Sequence, residues 1–299
     1  MKMDRIVFSF IIPHKNCPKL LNRCINSIPE REDVQIIIVD DNSDADKKPK
    51  ISRHNTEVVF LDADRSKGAG RARNIGLREA KGKWLLFADA DDYYSDKLNE
   101  FLDNYIDSNS DAIYFGYMKI SQNGQTINPD YNHVLYSAIS NPDVDILYRY
   151  FLNAPWNKMV RSELLKKYNI VFEESISGND IFYSYQLGTA AKTVSIEKSI
   201  IYYYNYNPNS LVHKKKNSKE KHLCRLLHTC QMNVAKSLLG YPQLKTSLLK
   251  YFIYELKTNG VRNFSLSIYV AIKNYNYIRN NKGELYNMIL RVERIKQLT

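Results

Sequence analysis

Trp84-Leu85-Leu86-Phe87-Ala88-Asp89-Ala90-Asp91-Asp92 runs five apolar residues straight into three carboxylates. An uninterrupted apolar run of this length, bounded by turn-forming residues, reads as a strand buried on both faces. Aspartates commonly end strands in turns. Three of them crowded on one sheet edge also repel one another, and a divalent cation is the simplest counter-charge. The same letters also suit an ordinary loop opening the helix expected from about Asp96.

Working outward, the pattern repeats. Val7–Ile12 is an apolar run ending at Pro13, followed by a helical stripe of Leu20, Leu21, Cys24, Ile25 and Ile28. Val34–Val39 is a second buried strand, closed by Asp40-Asp41-Asn42-Ser43, and Val58–Leu61 a third. Gly68–Gly70 opens a basic helix running to about Ala80, which Lys81-Gly82 stops. A helix over 96–109 and a strand over 112–120 follow. Alternating strands and helices predict an α/β fold, a Rossmann-like, mostly parallel sheet with helices on both faces. Ligands of such sheets gather beyond the carboxyl ends of the strands, and both acidic clusters fall there.

Beyond residue 120 the pattern loosens. A turn or hairpin is expected over 122–132 and a helix over 142–152. Residues 156–168 read as a short strand or loop entering a helix, 179–190 as a helix and 194–206 as a strand. His213–His222, HKKKNSKEKH, has no apolar periodicity and reads as a linker. The expected division is a catalytic domain over 1–213 and a basic helical appendage over 214–299.

The net charge of +11 is unevenly placed. Residues 1–180 hold 24 Lys/Arg against 27 Asp/Glu, whereas 181–299 hold 19 against 5. This speaks against a uniform nucleic-acid binder and for a near-neutral catalytic part with a basic arm that seeks anions such as lipid headgroups. No nucleic-acid partner is expected. Cys17, Cys24, Cys224 and Cys230 form no CxxC and read as free thiols. No 18-residue apolar run and no signal-peptide pattern occur, so the expected location is the cytosol, with the tail's Lys and Tyr residues against the inner membrane face. Packing of that tail on the core, or on a second copy in a homodimer, is the alternative.

Three further features carry chemistry. The Asp40-Asp41 pair suits an Asx-turn, or a carboxylate accepting from a nucleobase or ribose. Gly68-Ala69-Gly70-Arg71-Ala72-Arg73-Asn74-Ile75-Gly76 puts glycines and two arginines at a helix entrance, as phosphate binding requires, or simply forms a solvated basic face. Asp180 stands where it would cap the helix over 181–190.

IIPHKN, VDDNS, GAGRARNIG and FADADD, in this order and spacing, resemble the family 2 glycosyltransferases of bacterial surface-polysaccharide assembly, strongly over 6–120 and more loosely to about 213. The resemblance implies the type A glycosyltransferase (GT-A) fold and an inverting, metal-dependent transfer of sugar from a nucleotide-diphosphate donor, a UDP-sugar, to a saccharide or lipid-linked acceptor. It implies Pro13, Asp40, Asp41, Arg73, Asn74, Asp89 and Ala90 on the donor side. Asp91 and Asp92 would be ligands of Mg2+ or Mn2+, and Asp180 the catalytic base. Trp156 and Lys158 would lie near the acceptor, and His213 near the diphosphate or in the linker. The family often has Val-Tyr-Asn where this chain has His14-Lys15-Asn16, so the tyrosine that commonly lines the base pocket is missing. Two rival readings remain at this point: a nucleotidyltransferase making a nucleotide sugar, and a basic membrane- or nucleic-acid-binding module on an inactive core. The first usually opens with a glycine-rich loop after strand one, which is absent here.

Overall fold

A computed structural model of the chain describes residues 6–64, 68–121, 124–127, 148–150, 152–174 and 178–206, and scattered positions between 229 and 272. Two compact units are distinguished: 1–174 with 179–213, and 175–178 with 214–299. In the second unit the described positions from Leu248 to Ile272 are helical, and Leu249, Ile253, Leu256 and Val261 are exposed. Among the described residues no helix is long and apolar enough to cross a membrane. His213, the linker, the rest of the tail and most of 122–147 lie outside the described residues.

The first unit is built on eight strands: β1 Phe8–His14, β2 Val34–Asp40, β3 Thr56–Phe60, β4 Trp84–Phe87, β5 Tyr93–Tyr94, β6 Ala112–Ile120, β7 Lys158–Arg161 and β8 Val194–Asn205. They form one sheet in the order β3-β2-β1-β4-β7-β6-β8-β5. β3, β2, β1 and β4 are parallel; β7 runs antiparallel between β4 and β6, and β5 antiparallel to β8. The helices are α1 Pro18–Asn26, α2 Ala69–Glu79, α3 Leu98–Tyr105, α4 Ser162–Tyr168 and α5 Ile181–Ala190.

Period-two alternation explains how both faces are covered. Phe8, Phe10 and Ile12 of β1, with Trp84 and Leu86 of β4, join Leu21, Cys24 and Ile25 of α1 and Phe101 and Leu102 of α3 in one buried cluster. Burial of each such side chain stabilises by roughly 1.5–3 kcal/mol. On the opposite face α2 lies so close to β1 that a Cβ at Gly76 would overlap the Ile11 side chain. Phe87 of β4 packs there on Phe172 and Tyr183, which stack on each other at 3.9 Å.

Register puts the acidic ends on one rim. His14 stands opposite Asp40 across β1–β2, and Ile11 opposite Phe87 across β1–β4. The chain leaving β4 therefore reaches Asp89 at the level where β1 and β2 end. The fold is the α/β architecture expected.

Candidate active site

The rim begins with a residue that does not face it. Asp40 is fully buried at the end of β2: one carboxylate oxygen accepts from the Ser43 hydroxyl (2.5 Å) and lies 2.7 Å from His14 Nδ1, and the other accepts from the Ser43 amide. His14 Nε2 accepts from the Cys17 amide, which leaves the ring proton on Nδ1, aimed at Asp40. Asp40 therefore shapes the loops after β1 and β2 rather than meeting a donor, because a buried carboxylate must be satisfied from within. Its neighbour Asp41 is buried too, accepting from the Gly68 amide at the mouth of α2 (3.2 Å), but the half-exposed Lys15 ammonium lies 3.6 Å away. Pro13 is half-buried beside it, opposite Val39.

The centre of the site is Arg73. From α2 its guanidinium donates to Asp89 Oδ1 (2.6 Å) and to Asn179 Oδ1 (2.9 Å), and it lies over the Phe172 ring. One side chain thus ties the turn after β4 to the residue preceding Asp180. Asn74 holds the same join from inside, exchanging two 2.8 Å bonds with the backbone of Phe172. These two bonds fix Phe172 against α2, and the Asn74 side chain is buried there.

Of the three carboxylates after β4, two remain at the rim. Asp89 is one-third exposed. Asp91 is half-buried, its carboxyl pushed up to about 6 by burial and by the Asp89 charge. Ala90 between them is buried. Asp92 is turned inward: its oxygens accept from the Tyr202 hydroxyl (2.8 Å) and the Asn205 amide (2.8 Å), and burial with the Asp89 and Asp91 charges pushes it well above the carboxylate range. It fastens the turn to β8 instead of offering a ligand. The Tyr202 hydroxyl also accepts from the Asp89 amide, and Arg23 of α1 donates to the Asp91 carbonyl (2.6 Å) while covering the Tyr93 ring. Burial raises the Cys17 thiol to about 11, and the Asp91, Asp40 and Asp89 charges add to the rise.

Asp180 enters α5, yet its carboxylate makes no cap hydrogen bond. Burial raises its pKa, with Asp89 adding to the rise and Arg73 and Lys158 opposing it. Arg73 links Asn179, the residue beside Asp180, to the acidic rim. Trp156 stacks on Tyr202 (4.9 Å) and Tyr204 (5.7 Å), half-buried against the core. Lys158 is wholly buried, donating to the Leu152 carbonyl and the Ser184 hydroxyl, and so cannot meet an acceptor at the surface.

Residues 9–169 match the model of glycosyl transferase family 2. The chain belongs to this family. It is 27% identical over 218 residues to the uncharacterized glycosyltransferase EpsJ of Bacillus subtilis, covering 68% of this chain and 62% of that one. It is 28% identical over 207 residues to the poly(ribitol-phosphate) beta-glucosyltransferase of Bacillus spizizenii, covering 66% and 32%. The match thus spans less than two thirds of these relatives' length. The crystal structure of Staphylococcus aureus TarS 1-349 in complex with UDP-GlcNAc superposes with a TM-score of 0.56 at 19% identity, over 93% of this chain and 92% of that one, which shows a shared GT-A fold. Family membership sets the nucleotidyltransferase reading aside.

Sequence reasoning did not single out Arg23 and Tyr202, which bond the turn after β4. Tyr202 sits in the run Tyr202-Tyr203-Tyr204, where period-two alternation marks which residues share a face but not which one meets an aspartate 110 positions away.

Proposed function

We propose that this glycosyltransferase moves one sugar from a UDP-sugar to a hydroxyl of a saccharide or lipid-linked acceptor in surface-polysaccharide synthesis, inverting the anomeric centre in a single displacement. The reading is supported by the family, by relatives named for glucosyl and N-acetylglucosaminyl transfer to poly(ribitol-phosphate), and by a similar fold crystallised with UDP-GlcNAc. The observation that carries it is Arg73 joining Asp89 to the Asn179-Asp180 pair, so that the leaving-group side and the proton-accepting side of the reaction are held by one cation.

Asp41 accepts hydrogen bonds from the base or ribose of the donor. Asp180 takes the proton of the acceptor hydroxyl as it attacks, which a raised carboxyl pKa favours. Trp156 offers an aromatic face to the acceptor sugar. Among the described residues no group of three acidic, His or Cys side chains forms a closed metal cage. Asp91, an anion crowded by Asp89, nevertheless suits a Mg2+ or Mn2+ ion that takes one or two carboxylates and completes its shell with phosphate oxygens. Asp91 would hold it, Asp89 beside it, and the ion would stabilise negative charge on the departing diphosphate.

The test is a calorimetric panel of nucleotide sugars with Mn2+ or with EDTA, followed by transfer assays. One UDP-sugar should bind at least tenfold more tightly with Mn2+ than with EDTA. Equal affinity in the two conditions would remove the metal, and selective binding of a non-uridine donor would remove UDP.

A further inference from the structure

Lys158 of β7 is 0% exposed. Its ammonium donates to the Leu152 carbonyl (2.7 Å) and the Ser184 hydroxyl (3.3 Å) and lies 5.2 Å from the centre of the Tyr114 ring. Ser184 belongs to the first turn of α5: its amide donates to the Asp180 carbonyl (3.0 Å), and its hydroxyl donates to the Asn153 carbonyl (2.5 Å). The ammonium is therefore strapped one helical turn from Asp180. Burying an ammonium costs several kcal/mol, and an apolar side chain of the same length would fill the space without that cost. Burial pulls Lys158 down to about 7, and Asp180 is the charge that resists the fall. Three charged groups act on Asp180: Arg73 from α2, Asp89 from the turn after β4 and Lys158 from β7. Arg73 is already committed to Asp89 and Asn179.

We propose that Lys158 is a positioning residue for Asp180: strapped to the first turn of α5 through Ser184 and to the segment before β7 through Leu152, its ammonium supplies the core-side positive charge that keeps the Asp180 carboxylate ionised and in place to accept the acceptor's proton. The inference rests on the reading of Asp180 as the base. Removing the lysine charge lets the Asp180 pKa rise further, so the acidic limb of the rate profile moves to higher pH. A lysine that only packed would leave that limb where it is.

The experiment uses the full chain carrying Lys158→Met, Ser184→Ala or Asp180→Asn, with kcat measured across pH at saturating UDP-sugar and Mn2+. Lys158→Met should bind donor within about twofold of wild type. Its acidic limb should move up by about one pH unit, as loss of a nearby opposite charge requires, with a roughly tenfold kcat deficit below the limb that higher pH restores. Ser184→Ala, which keeps the lysine but cuts its strap, should move the limb in the same direction by less, and it decides the matter if Lys158→Met does not fold. An inactive Asp180→Asn beside an unmoved limb in the other variants overturns this proposal alone; an active Asp180→Asn overturns the base and the proposal together.

Discussion

Asp180 stands at the entry of α5 without making a cap hydrogen bond, so its carboxylate is not spent on the helix end. Asp180→Asn is expected to bind the donor with unchanged affinity while kcat falls by about 10²–10⁴, the usual worth of a general base. Only the ionised carboxylate accepts a proton. Since burial raises its pKa, activity should be lost as pH falls through a value above the ordinary carboxylate range, and a profile flat down to pH 4 would contradict the assignment. Tyr202 serves two neighbours, accepting from the Asp89 amide and donating to Asp92. Tyr202→Phe should therefore lower stability in urea by about 1–3 kcal/mol, the cost of leaving buried partners unsatisfied. That acids end the strands was legible as letters: Asp41 follows β2, and Asp89 and Asp91 follow β4. Asp40 and Asp92 carry the same carboxylate but face inward, since which oxygen is buried depends on groups 26 to 113 positions away.

Among the elements, α2 organises the site, and two glycines set its place. A Cβ at Gly76 overlaps Ile11 on β1; a Cβ at Gly70 overlaps the backbone carbonyl of Glu173. Gly76→Ala pushes the helix off the sheet and should cost about 1–3 kcal/mol in chemical denaturation, as overpacking does. Gly70→Ala instead displaces the segment that carries Asn179 and Asp180. It should reduce kcat at least tenfold, and near-normal turnover would mean that this close approach does not set the catalytic geometry. The buried strands and both flanking helices of the first half could be read from apolar runs and turn residues. The two-residue β5 has no periodicity to find, and the antiparallel insertion of β7 between β4 and β6 is a pairing choice made across about 45 to 75 residues of sequence.

Over the whole molecule, the basic excess lies beyond residue 180. We propose that residues 214–299 hold the enzyme to anionic membrane surfaces where lipid-linked acceptors reside. Co-sedimentation with anionic liposomes should drop sharply in 1–213 and fall with added salt; sedimentation unaffected by the deletion would refute a membrane role. The amino-acid order alone determined the class of fold and the level at which the acids emerge, because alternation and apolar runs are local properties that survive without knowledge of partners. Only the tertiary structure decided which acids stay part-exposed at the rim, that Lys158 bonds Ser184 one turn from Asp180 and that Arg73 joins Asp89 to Asn179. Those outcomes come from register and burial, where a hydrogen-bonding group must find its partner among residues that only the folded chain brings within 3 Å.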